Sequence, residues 1–420
     1  MNRTKFLAAG LAAATLGTSA LHAAELNIVH GAVGKDQEVL RVALDRFEEE
    51  TGHTVNIVSM PERTTDQFAQ FRLWLSAESQ DIDVYRLDVI WAPQLADHFV
   101  DLTEATADII DQFVPAAVES QTVDGKLVAL PMFLGAPALY YRSDLLEKYG
   151  KDMPETWTEL TETASEIMQA EREAGNEDMW GYVYQGAAYE GLTCNAMEWI
   201  ASNGGGQIVN ADGEITVMNE KAVEALDLAA SWVGNIAPPG ILNYAEEDAR
   251  GVFQSGNAVF MRNWNYAYAL VNGEDSPIKD VVEVTTLPAG DSGETASILG
   301  GSHLAVAKYS QNQDEAIQLV RFLNNEESQR ARAIESSRPP TLTALYEDAE
   351  IAEKQPFIPL WKPVIDGAIS RPSAPTKGDY NEVSSEIWTA AHSVMSGEMD
   401  AESAVARLNA MLTRLKGDAW

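Results

Sequence analysis

Cysteine is almost missing from this chain of 420 residues: Cys194 stands alone, so no intrachain disulfide can form in any redox compartment. It falls within a predicted helix and reads as a buried, inert thiol rather than a nucleophile. Basic residues are scarce too, 29 against 64 acidic ones, for a formal charge of -35. So large an excess repels nucleic acid, anionic lipid and anionic substrates at long range, while neutral or cationic ligands stay admissible. The six histidines are scattered, and no G-x-S-x-G, H-E-x-x-H, P-loop or strand-linked G-x-G-x-x-G occurs. That removes the familiar signatures of esterases, zinc proteases and nucleotide enzymes. Asp81-Ile82-Asp83 is the nearest approach to a metal pair; with no partner motif it reads as a solvated turn, and neither a metal nor a cofactor is expected.

What is present begins with a leader. Arg3 and Lys5, the apolar run Phe6–Leu16 and the small residues Ala23-Ala24 have the layout of a secretory signal peptide, residues 1–24. Its apolar core is too short to span a bilayer, and no other run is longer, so the mature chain is expected to be soluble and exported, in the periplasm. Loss of Arg3 and Lys5 makes the mature charge more negative still. The remaining length, 45% hydrophobic overall, suffices for two domains.

Hydrophobic periodicity predicts a β-α-β-α-β start. The strands are Glu25–Gly31, Val55–Val58 and Val84–Trp91, with helices between them, the first stopped by Gly52. Such an order gives a parallel sheet whose ligands bind at the carboxyl ends of the strands, here the loops starting at His30, Ser59 and Trp91. Asp124-Gly125 predicts a hairpin, Pro154 the opening of a long helix, and Asn219 a helix cap. The stretch Met179–Val217 reads as a half-buried strand carrying Trp180, Tyr182 and Tyr184, then a loop rich in aromatics and amides, then a helix ended by Gly204-Gly205-Gly206. That loop is expected to wall a polar, uncharged ligand. Residues 313–336 predict one helix, the proline-rich run Phe357–Pro375 no regular element, and Tyr380–Leu415 two helices around Gly397. No single linker separates two halves, so the chain is expected to cross between its domains more than once.

Candidate binding residues follow from this layout. Trp264 and Tyr266 in a loop after a strand, with Trp91, Tyr140 and Tyr189, could stack on the C–H face of a sugar or simply fill a core or an interlobe contact. Asp88 is an acid in an apolar strand, where burial must be compensated by a ligand hydroxyl, an arginine or a backbone amide. Glu38 is either a solvated helix position or part of the site. Arg371, in Ser370-Arg371-Pro372, is either an ion-pair partner between lobes or a hydroxyl donor.

Together these residues resemble the extracytoplasmic sugar-binding proteins of bacterial ABC importers, in particular the trehalose/maltose-binding group. Tyr184-Gln185-Gly186, Tyr189-Glu190-Gly191-Leu192 and Gly204-Gly205-Gly206 carry the resemblance most specifically, supported by Asp88-Val89-Ile90-Trp91, Gly300-Gly301 and Arg371-Pro372. It implies an α/β fold of the periplasmic binding protein type II, two α/β lobes with a hinge and a ligand cleft. The lobes would be 25–139 plus 300–345 and 140–299 plus 346–420. Contacts would come from Glu38, Arg63, Asp88, Tyr140, Trp264, Gly301 and Arg371, to which Tyr189 and Tyr266 are added from the aromatic pattern.

The implied function is capture, without catalysis, of an α-glucoside disaccharide such as trehalose, maltose or sucrose. A monomer would deliver it to membrane permease subunits with their cytoplasmic ATPase. One departure stands out: members of that group carry Gly-Gly-Trp, but Gly300-Gly301 is followed here by Ser302-His303, so a stacking platform is absent and a smaller or differently linked sugar becomes admissible. Two rival readings remain open at this stage. One is the same fold holding a cation or osmolyte; the other is a secreted carbohydrate-active enzyme with a carboxylate pair among the 64 acids.

Overall fold

The computed structural model describes residues 23–31, 33–290, 293–417 and 420; the predicted leader lies outside them except for its last two residues. In chain order the strands are β1 (Glu25–Gly31), β2 (Thr54–Met60), β3 (Val84–Asp88), β4 (Thr122–Val123), β5 (Lys126–Leu127), β6 (Leu130–Gly135), β7 (Ala138–Arg142), β8 (Trp180–Val183), β9 (Ala258–Asn263), β10 (Val282–Thr285) and β11 (Gly300–Val306). Among the described residues they form two main sheets and the small β4-β5 hairpin, which turns on Asp124 and Gly125, both at positive φ.

The first sheet has the order β2-β1-β3-β11-β6. β1 runs parallel to β2 and β3, as the alternating strand and helix pattern predicts, and β11 lies antiparallel between β3 and β6. The second has the order β10-β7-β9-β8, antiparallel except for β8 against β9. Each sheet is the centre of one lobe. The chain leaves the first lobe after β6 and re-enters it at β11, so the expected multiple crossings are present.

Helix ends follow their residues. Helix Asp36–Thr51 buries Leu40, Leu44 and Phe47 and stops at Gly52, whose φ of 77° suits a residue without Cβ. Thr156 and Glu159 form a reciprocal capping box that starts helix Trp157–Glu173, and the Asn219 side chain accepts from Ala222 N.

Three local expectations are corrected. Strand β3 ends at Asp88, not Trp91: residues beyond it turn into a short helix, and the Trp91 ring packs at 71° to Phe71, 5.3 Å between centroids. Residues 313–336 form two helices, Gln313–Leu323 and Glu326–Ser336, because Asn325 caps the second by accepting from Ser328 N. The proline-rich run contains a helix, Phe357–Asp366. Pro359 falls in its first turn, where no N–H is needed, so only Pro363 costs an intrahelical bond.

The stretch Met179–Val217 is core rather than ligand wall. Tyr182 and Tyr184 are wholly buried, and their rings join Trp157, Trp199 and Trp232 in one aromatic nest. β8 is covered on both faces, so alternation along it does not mean exposure. Cys194 is buried in helix Glu190–Ile200, and burial pushes its thiol pKa up. Asp83 is not a solvated turn residue: it is 3% exposed and receives hydrogen bonds from Asn27 N (2.8 Å) and Ser310 Oγ (2.5 Å). Among the described residues no cluster of potential metal ligands occurs, and no helix is long and apolar enough to cross a membrane.

Candidate functional site

The carboxyl ends of β1 and β3, the loop after β2, and the facing ends of β6 and β11 border a groove. It is lined on this side by residues that include Gly31, Glu62, Arg86, Asp88, Phe133 and Gly301. The opposite wall is Glu246 and the loop after β9, Trp264-Asn265-Tyr266. One sheet therefore supplies mainly charge and backbone, the other mainly aromatic rings.

Glycine makes the close approach possible. A Cβ on Gly300 would lie 2.5 Å from Trp264 Cζ3, so only a residue without one lets the indole lie against β11. Gly301 has φ of 154°, and a Cβ there would meet Phe133 O at 2.7 Å. Trp264 is half-buried, with the Arg262 guanidinium 4.8 Å from its ring centroid. Arg262 is itself held by Glu198, Nη2 to Oε1 2.6 Å and Nε to Oε2 3.0 Å, in a fully buried pair.

Asp88 and Arg371 meet. Arg371 Nη2 donates to Asp88 Oδ1 at 2.6 Å and Nη1 to Glu190 Oε1 at 2.9 Å. Glu190 also receives Tyr380 OH and Ser384 Oγ, the latter at 2.6 Å. Burial raises the pKa of Glu190, and Arg371 with the two hydroxyls offsets this only in part. For Arg371 burial acts to lower the pKa, but Asp88, Tyr380 and Glu190 among others outweigh it, and it rises.

A second cluster lies beneath the first wall. Asp36 accepts from Arg338 Nε (3.0 Å) and Nη2 (2.6 Å), and Arg86 Nη1 stands 3.4 Å away. Burial would raise the Asp36 pKa, yet Arg338 and Arg86 hold it below the usual range. Burial lowers Arg86 to about 10.

Contacts across the groove tie its walls together. Glu62 Oε1 accepts from Glu247 N at 3.0 Å, at the N-terminus of helix Glu246–Gln254; Thr65 Oγ1 accepts from Glu190 N at 3.3 Å. In this arrangement the space left is about 100 Å³, below the ~300 Å³ at which ordinary ligand pockets begin. A ligand of sugar size enters only if the walls part.

The remaining candidates take different places. Tyr266 lines the groove, its OH donating to Glu247 Oε1 at 2.7 Å and its ring under Arg338. Tyr140 is wholly buried and donates to Trp264 O at 2.8 Å, so it braces the aromatic loop from behind. Tyr189 is buried, bonded to Glu246 Oε2 at 2.6 Å, with Arg63 over its ring at 5.6 Å. Arg63 also donates to Asn243 O at 3.4 Å. Glu38 is exposed and lines a separate cavity between helices Asp36–Thr51 and Glu326–Ser336. His303 points away from the groove: strand alternation gives Ser302 to the groove and His303 to the core, 0% exposed.

Sequence reasoning passed over Arg86, Asp36, Arg338, Glu62 and Glu246. For Arg86 the signal was available, since it stands two residues before Asp88 and therefore on the same face of β3.

A family model of bacterial extracellular solute-binding proteins matches residues 32–330. A probable ABC transporter-binding protein of Deinococcus radiodurans is 41% identical over 414 residues, covering 98% of each chain. The structure of the maltose-bound MalE3 protein of T. maritima superposes with a TM-score of 0.90 at 38% identity, over 94% of this chain and all of that one. The GacH receptor of Streptomyces glaucescens shares the fold, with TM-score 0.83 at 23% identity over 95% of this chain and 100% of its own.

Proposed function

Because this chain belongs to the family of bacterial extracellular solute-binding proteins, which bind substrates for ABC transporters and are not enzymes, and has the type II periplasmic binding protein fold, we propose that its groove captures a neutral sugar. The ligand class is an α-glucoside disaccharide: maltose first, with trehalose and sucrose as relatives of the same shape. The protein acts in the periplasm as a monomer and hands the sugar to a membrane permease driven by its cytoplasmic ATPase. The maltose bound to the MalE3 protein, similar to this chain over nearly its whole length, supports the sugar class.

The observation that carries the reading is that Asp88, fixed by Arg371, and Trp264 face one another across one groove. A polyol needs both: ring faces for its C–H surface and hydrogen-bond forks for hydroxyls that burial would otherwise leave unpaired. Gly301 and Tyr266 complete the lining, and Arg63 and Tyr189 join the walls in the closed form. In this reading the lobes are 25–139 with 300–345 and 140–299 with 346–420; the first boundary falls inside β7, a strand of the second sheet. Closure draws its energy from contacts that exist only when ligand bridges both walls.

Calorimetry with a panel of mono- and disaccharides tests the proposal. Maltose should bind one to one, and Trp264→Ala should weaken it by roughly tenfold or more, about 1.4 kcal/mol, with the melting temperature of the unliganded protein unchanged. Binding of polyamines or osmolytes in place of every sugar, or release of glucose from maltose by the pure protein, would overturn it.

A further inference from the structure

Among the described residues a space larger than the groove lies elsewhere. A cavity of about 440 Å³ lies wholly inside the first lobe, between helices Asp36–Thr51 and Glu326–Ser336, with β6 as its floor. Its size falls in the ~300–1,000 Å³ range of small-molecule sites. Phe133, with the Asp36–Arg338 ion pair, separates it from the groove: Asp36 lines the cavity and Arg338 the groove.

The lining has a definite chemistry. Val39, Ala43, Met132 and Ala331 give it an apolar body, and Lys35 and Arg46 with Glu38 and Glu335 put charge of both signs on the rest of the lining. At the buried end stands Arg332, 6% exposed, whose Nη1 and Nη2 donate to the carbonyls of Met132 (2.9 Å) and Leu323 (2.7 Å). Among the described residues no carboxylate lies within ion-pairing distance of Arg332. The nearest acid it senses, Asp36, is already shared by Arg338 and Arg86. Burial, partly offset by Asp36, lowers the Arg332 pKa to about 9, the sign of a cation whose charge is poorly compensated. A buried charge with only carbonyl partners gains from an anion that reaches it.

From this geometry we infer that the cavity is a second ligand site, for a small monoanionic carboxylate with an apolar body, bound through Arg332. Val39, Ala43, Met132 and Ala331 would leave the hydroxyls of a sugar on that side without partners, whereas a hydrocarbon tail needs none. The chain's charge of -35 repels anions at a distance, which favours one negative charge over the two of a phosphate monoester. The inference does not rest on the sugar reading, because no residue of the second lobe lines the cavity.

The test is calorimetry on the full chain with benzoate and hexanoate. Benzyl alcohol and hexanol serve as neutral counterparts and inorganic phosphate as an anion without an apolar body, each with and without saturating maltose. The carboxylates should bind one to one, about tenfold or more tighter than the alcohols, with phosphate silent and maltose not displacing them. Arg332→Met should abolish the preference for carboxylate over alcohol. Ala331→Phe, which fills the cavity and leaves the Arg332 bonds to Met132 and Leu323 in place, should remove binding of both. Equal affinity for acid and alcohol, displacement by maltose, binding undiminished in Ala331→Phe, or no carboxylate binding would each overturn the inference.

Discussion

The two clusters of buried charge beside the groove are out of balance in opposite senses. Beneath the first wall one acid, Asp36, serves Arg338 and Arg86, with Arg332 within electrostatic reach. At the crossing of the lobes one base, Arg371, serves Asp88 and Glu190. The consequences differ because acids and guanidinium groups differ in what a proton can repair. A buried glutamate short of positive charge can take up a proton near neutrality; a guanidinium short of negative charge sheds one only on the alkaline side, about 9 for Arg332 and about 10 for Arg86. Accordingly Glu190 is raised by its burial. Beside the first cluster His30 and His303 are held neutral, both lowered to about 3 by burial and then by Arg86.

Removing the scarce partner from each cluster breaks the comparison most directly. Asp36→Asn leaves Arg338 and Arg86 buried without their acid and should cost about 3–5 kcal/mol, nearly constant from pH 5 to 7, read as the urea midpoint. Arg371→Met should cost less, roughly 2–3 kcal/mol at pH 8, and the loss should shrink toward pH 5. The sign follows from Glu190. Its folded pKa, already raised, rises further without Arg371, and a raised carboxyl pKa gives stability that is present at low pH and lost as pH rises through it. Equal, pH-independent losses in the two variants would remove the distinction. Arg371→Met should also weaken sugar binding, since Asp88 loses the guanidinium that fixes its carboxylate.

A smaller effect sharpens the first cluster. Among the described residues neither nitrogen of His303 has a partner, so His303→Leu gives up no hydrogen bond there. In the parent, the unfolded chain takes up a proton on this ring below pH 6.5 whereas the folded chain refuses it down to about 3. Stability therefore falls as pH drops through that window, by about 2 kcal/mol per histidine at pH 5. The variant should lose that share of the acid sensitivity: measured against the parent, its unfolding free energy should stand about 2 kcal/mol higher at pH 5 than at pH 7.5. An unchanged difference would mean that the ring carries its proton in the folded state.

The imbalance also explains what could be read from the sequence. The parallel start of the first sheet, the glycine stops and the Asn219 cap are local matters, fixed by periodicity and by residues whose backbone preferences need no partner. Asp88 was recognisable because an acid in an apolar strand demands compensation. Its partner was not recognisable, since Arg371 stands 283 residues away and either role suited it equally. Burial on both faces misled the reading of Met179–Val217: aromatic alternation in β8 looks half-exposed until helices cover the second side. Tyr140 and Tyr189 show the same limit. Each has a ring suited to a sugar, and each spends its hydroxyl inside the protein, on Trp264 O and on Glu246.

The last test is the finest. Ser384 Oγ donates to Glu190 Oε2 and is also bonded to Thr193 Oγ1 at 2.8 Å. Ser384→Ala withdraws one donor from the ionised carboxylate but leaves Arg371 and Tyr380 in place. Hydrogen bonds to the charged form lower a carboxyl pKa, so their loss must raise it further. The cost should be about 1 to 1.5 kcal/mol at pH 8 and smaller at pH 5, a weaker copy of the Arg371→Met profile and of the same slope as His303→Leu, which also gains on the parent as pH falls. A loss larger at pH 5 than at pH 8 would mean that Glu190 is protonated in the native state. Arg371 would then balance Asp88 alone, and the second cluster would carry no excess of negative charge.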